Sequence, residues 1–140
     1  MRGFTLLELL VVISLIAIAS AGVGFAIRDS GATSLEREAG RLAALLEGGR
    51  ALSRASGQPL RWRDTSQGFV FEGGQAARGL PTNWLDAGTS VRWEAGTGPH
   101  SITLGPEPII DRQSVTLANE GHSLRLATDG LRPFAVQAAP

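Results

Sequence analysis

The feature that most constrains this chain is a run of 19 uncharged residues, LLVVISLIAIASAGVGFAI, at positions 9–27. As a helix it would span about 28 Å, close to one hydrocarbon thickness of a bilayer. Arg2 precedes it, and the Arg28-Asp29 pair that follows is neutral overall. A basic N-terminal flank predicts a cytoplasmic N-terminus with the rest of the chain outside. Two readings compete. In the first the segment is a secretory signal peptide, with Ala19-Ser20-Ala21 as a small-residue cleavage site and a soluble periplasmic product. In the second it is a permanent membrane helix.

Glu8 favours the second reading. A carboxylate in a membrane helix costs on the order of 2.5–3.5 kcal/mol at mid-bilayer and less near the end. A signal peptide gains nothing from it. A partner exists if the chain is cut after Gly3, because Phe4 then carries a new ammonium. Glu8 lies four residues later, about one helical turn, so the charges can approach along one face or between neighbouring helices. The alternative for an isolated helix is that Glu8 snorkels to the interface.

The stretch RGFTLLELLVVISLIAI, from Arg2 to Ile18, resembles the class III signal of type IV pilins and type II secretion pseudopilins. That resemblance implies cleavage between Gly3 and Phe4 by a prepilin peptidase, and N-methylation of Phe4. It also implies a role for Glu8 in subunit assembly. The implied organisation is a leader at 1–3, a transmembrane assembly helix at 4–27 and a periplasmic domain at 28–140.

Within that domain Gly31 is expected to loosen the helix, and Thr33 with Glu36 fits a capping box that restarts it. Leu35, Ala39, Leu42, Leu45, Leu46 and Leu52 then recur at helical spacing over about 34–57, with the charges mostly off that stripe. Gly48-Gly49 weakens its middle, and Gly57 and Pro59 end it. The period then shifts towards two. Leu60 and Trp62, then Phe69 and Phe71, predict a hairpin closed by TSQG. SVRWEA, HSITLG, SVTLAN and HSLRLAT are further strand candidates. Asp129-Gly130 predicts a hairpin turn, and Pro133 makes the return strand an edge or starts it after the proline. The fold class is α+β: a long N-terminal helix, half transmembrane and half amphipathic, packed on antiparallel sheet over 59–138.

The order of helix, arginine-rich hairpin with GFVF, LPTNW and a closing LRLATDGLRPFAVQ is similar to the minor pseudopilin H (GspH/FimT) family. This resemblance implies a pilin-like fold and a structural subunit of the type II secretion pseudopilus. Its partners would be minor and major pseudopilins, the prepilin peptidase and inner-membrane lipid, with secretion cargo or the outer-membrane secretin beyond them. A minor type IV pilin of the DNA-uptake type is the alternative. DNA-binding relatives carry clustered arginines near the C-terminus, and the corresponding positions here are Arg125 and Arg132.

Enzyme chemistry finds no foothold in the sequence. There is no Cys, so no thiol nucleophile, Cys-zinc site or disulfide. His100 and His122 sit in Gly/Pro contexts that predict exposed loops, outside any catalytic motif. Asp111, Glu120 and Asp129 lack the spacing of a calcium loop. No catalytic residue, metal or cofactor is expected. Thirteen acids balance thirteen bases, all arginine, which argues against a nucleic-acid partner. Trp62, Trp84 and Trp93 are expected in core or edge packing.

Overall fold

The computed structural model describes residues 4–94 and 99–138 of the chain, with the side chains of 24–29 and 138 left aside. One helix, α1 (Leu6–Ser56), carries both the apolar segment and the amphipathic stripe without a break. At 1.5 Å per residue it is about 76 Å long. Thr5 caps its start in an extended conformation, with its hydroxyl accepting from the Glu8 N–H at 3.3 Å. Gly57 caps its end at φ +67°, the left-handed geometry glycine adopts freely.

The interruption expected at residues 28–33 is absent. Thr33 lies inside α1, not at an N-cap, and the capping-box spacing is used by Thr5 and Glu8 instead. Gly31 has a packing role: a Cβ there would stand 3.3 Å from the Glu120 carboxylate and 3.5 Å from the His122 ring. The absent side chain lets the tip of a β-hairpin seat against the helix.

Among the described residues seven strands follow in two sheets. β1 (Arg61–Thr65) and β2 (Gly68–Glu72) form the predicted hairpin. β3 (Ser90–Arg92) is short, and Ala95 of that candidate lies outside the described residues. β4 (Ile102–Thr103) has only two residues. β5 (Gln113–Asn119), β6 (His122–Thr128) and β7 (Ala135–Ala138) complete the order β2-β1-β4 and β3-β5-β6-β7, with every pairing antiparallel. The tight turn is at Glu120-Gly121, both at positive φ, between the paired Asn119 and His122. Asp129-Gly130 is not a two-residue turn. It opens a longer connection, 129–134, and β7 starts after Pro133 as an edge strand.

Side-chain hydrogen bonds join the sheets where strands run out. The Gln113 amide accepts from the Thr103 N–H at 2.7 Å and donates to the Thr103 carbonyl at 2.9 Å, which replaces a further strand pairing for β4. The Trp93 indole N–H donates to Asp64 at 2.9 Å.

The core lies between α1 and the sheets. Leu35, Ala39, Leu42 and Leu46 pack with Leu60, Trp62, Phe69, Phe71, Ile102 and Leu104, and with Val115, Leu117 and Leu126. Trp62 anchors an aromatic cluster with Phe69, Trp84 and Trp93, ring centroids 5.9–6.3 Å away. Leu52 departs from the expected stripe and is exposed; Gly49 and Ser53 take the inward positions of that turn.

Two charged residues expected on the solvent face are buried instead. The Glu38 carboxylate, 1% exposed, accepts from the Leu85 N–H at 2.6 Å and from Arg41 at 3.1 Å. Arg50, 3% exposed, donates to the carbonyls of Gly130 at 3.2 Å and Arg132 at 3.3 Å, and to Glu47. Glu47 in turn accepts from the Phe134 N–H at 3.0 Å. A buried charge is tolerated only when its hydrogen bonds are filled, and here they clamp two loops to the helix.

Candidate functional site

Over Leu6–Val23, α1 projects its side chains into solvent. Leu6–Val23 forms a helix long and apolar enough to cross a membrane, with none of it buried against the rest of the protein. Leu6, Leu7, Ile13, Leu15, Ile16 and Ile18 are each more than half exposed. A soluble fold has no use for so continuous an apolar surface, which carries the energetics of lipid or helix contact. The hydroxyls within it are satisfied locally: Ser14 donates to the Leu10 carbonyl at 2.7 Å and Ser20 to the Ile16 carbonyl at 2.8 Å. This leaves no hydroxyl unsatisfied in a medium without water.

Phe4 is exposed and lies just before the helix cap; Gly3 lies outside the described residues. Glu8 occupies the third helical position, one turn from Phe4, where its charge meets the positive end of the helix dipole. The T-x-x-E spacing of Thr5 and Glu8 starts the helix within a few residues of the cut that the sequence implies. That second role of Glu8 was available in the sequence, from the same spacing that Thr33 and Glu36 display.

The chain carries the prokaryotic N-terminal methylation motif. The match covers residues 1–24. It supports a type IV pilin-like protein, and with the exposed apolar helix it is consistent with membrane anchoring through a single N-terminal helix. No curated protein and no solved structure gives a match.

The two C-terminal arginines line one groove, together with Arg112. Arg125 projects from β6 and pairs with Glu94 at 3.0 Å and with the Ser114 hydroxyl at 2.8 Å, while its Nε–H is buried without a partner. Arg132, 87% exposed at its side chain, stands 3.5 Å from Asp129. Asp129 also accepts from the backbone N–H of Arg132 at 2.8 Å and of Leu131 at 3.0 Å. Those backbone bonds hold its carboxyl below the ordinary range, with the Arg132 guanidinium helping. Asp86 is lowered likewise, chiefly by the Gly88 N–H.

His100 is exposed and stacks flat on Trp93, centroids 5.7 Å apart. His122 is not in a loop: it opens β6 and is half-buried at the Gly31 contact. Among the described residues no cluster of three or more His, Cys, Asp or Glu is placed to hold a metal ion.

Proposed function

We propose that this chain is a minor pseudopilin of the type II secretion system, a structural subunit with no enzymatic role. The supporting observation is the division of α1. Its Leu6–Val23 portion is a bare apolar rod within the methylation-motif match, and its C-terminal portion from Leu35 on is the spine of a folded domain. Such a helix can hold the subunit in the inner membrane and then pack against equivalent helices, with the domain on the periplasmic side. In this reading a prepilin peptidase cuts after Gly3 and methylates Phe4. Glu8 then neutralises the Phe4 ammonium of an adjacent subunit, because an unpaired charge in a low-dielectric bundle is costly. Other minor and major pseudopilins are the partners, with cargo or the outer-membrane secretin beyond them.

The test is Glu8→Ala in cells that assemble the filament. The variant is expected to insert and to lose its leader normally, yet to be missing from sheared filaments. Normal incorporation would remove the proposed role of Glu8.

A DNA-uptake pilin would place phosphates against Arg125 and Arg132. Both guanidinium groups already face carboxylates, Glu94 and Asp129, which oppose a polyanion.

A further inference from the structure

We propose that the groove beside β7 receives an extended acidic segment of a partner polypeptide, which adds a strand to the four-stranded sheet. The groove lies on the face turned away from α1. Strand register places Ser114, Ala127 and Ala135 in one row across β5, β6 and β7, so its floor is low. The stacked Trp93 and His100 line it, as do Arg112 and Arg132.

The free edge of β7 is the second, independent observation. Among the described residues β7 pairs with β6 alone. Ala135–Ala138 carries no charge, and Ala135, Val136 and Gln137 are exposed. Sheet edges are ordinarily guarded by charge, proline or a bulge within the strand, because an unpaired edge is a template for another chain. This one has none of those within its four residues. An added strand would lie about 4.8 Å from β7, with alternate side chains over the groove.

The sign of those side chains follows from the arginines. Arg125 is engaged by Glu94 and Ser114. Arg132 holds Asp129 only at 3.5 Å, and exposed Arg112 makes no ion pair among the described residues. Arg112 is therefore free to meet a carboxylate on the incoming strand, and exposed Arg132 could exchange Asp129 for one. A peptide is favoured over nucleic acid because only a peptide can use the backbone groups of the β7 edge. This inference does not depend on leader processing or on secretion.

The experiment uses the full chain in nonionic detergent and the anisotropy of a short labelled peptide alternating Thr and Glu. A Thr–Lys peptide and an oligothymidylate of similar length serve as controls. Saturable binding of the Thr–Glu peptide alone is expected. Changing both exposed arginines (Arg112→Gln with Arg132→Gln) should weaken it about tenfold or more, with unchanged near-UV dichroism. N-methylating alternate amides of the peptide should abolish binding in one register and spare it in the other, since an edge strand pairs on one side only. The proposal is overturned by absence of saturable binding, by equal binding of either control, or by indifference to the arginine changes. Loss in both N-methyl registers, or in neither, would overturn strand addition.

Discussion

Replacing Gly48 and Gly49 by alanine, one at a time, is expected to move stability in opposite directions. Both residues lie inside α1, where glycine costs about 1 kcal/mol relative to alanine through the freedom it retains when unfolded. At Gly48 a Cβ would meet nothing within 4 Å. Gly48→Ala should therefore recover nearly the whole propensity term, about 1 kcal/mol. At Gly49 the same atom would stand 2.7 Å from Leu104 Cδ1, 3.2 Å from Leu60 Cδ2 and 3.4 Å from Phe71 Cε1. Those side chains are buried in the core between helix and sheet and have little room to yield. Overpacking of this kind costs about 1–3 kcal/mol, which the propensity gain only partly offsets. The variants should then differ by about 1–3 kcal/mol, and a domain of this size shifts by about 4–8 °C per kcal/mol. The assay is thermal unfolding of the full chain in detergent, followed by near-UV dichroism. All three tryptophans sit in the folded domain, so the signal ignores the apolar half of α1. If Gly49→Ala melts as high as Gly48→Ala, the close approach of helix and sheet is not tight and the packing argument fails.

Arg50→Met keeps an apolar stem but strips the Gly130 carbonyl of its charged donor. A loss of about 2–4 kcal/mol is expected, and a shift under a fifth of that would mean the loop holds without the clamp. Glu38→Gln retains the shape yet weakens acceptance from Leu85 and Arg41, with an expected loss of about 1.5–3 kcal/mol by the same melts. Asp129 and Asp86 have carboxyls lowered in the folded state, so their contribution is present above the unfolded value near 3.8 and is lost as pH falls through the lower folded value. Asp129→Asn is accordingly expected to melt below the parent chain at pH 7, and the gap should narrow as pH is lowered through the folded-state value of Asp129; a gap unchanged across an acid titration contradicts the assignment.

The local patterns in the sequence translated well into structure. Leu60, Trp62, Phe69 and Phe71 alternate, and they form the hairpin face that packs under the helix. Gly57 stops α1 where the pattern ends. The deviations have a common cause, which is that their reasons lie far along the chain. Glu38 and Arg50 read as solvent-facing charges because their partners are backbone groups 47 and 80 residues away. Gly31 reads as a helix breaker, but its purpose is set by Glu120 and His122 at a hairpin tip. β4 is shorter than its alternating pattern because the side chain of Gln113 occupies the Thr103 backbone. At the N-terminus the methylation motif and the apolar run are local and were legible, whereas the Thr5–Glu8 cap, just as local, was missed because the same spacing was read at Thr33 and Glu36. The groove beside β7 was not legible, since Arg112, Arg125 and Arg132 meet only through sheet register and the loop after β6.

Intact-mass and N-terminal peptide mass spectrometry of the membrane-extracted protein bears most directly on the claim that α1 is retained whole. The account predicts a mature chain that begins at methylated Phe4 and keeps every residue after it. A chain beginning at Gly22 and recovered in the soluble fraction would contradict it, because the helix that anchors and assembles the subunit would then have been discarded.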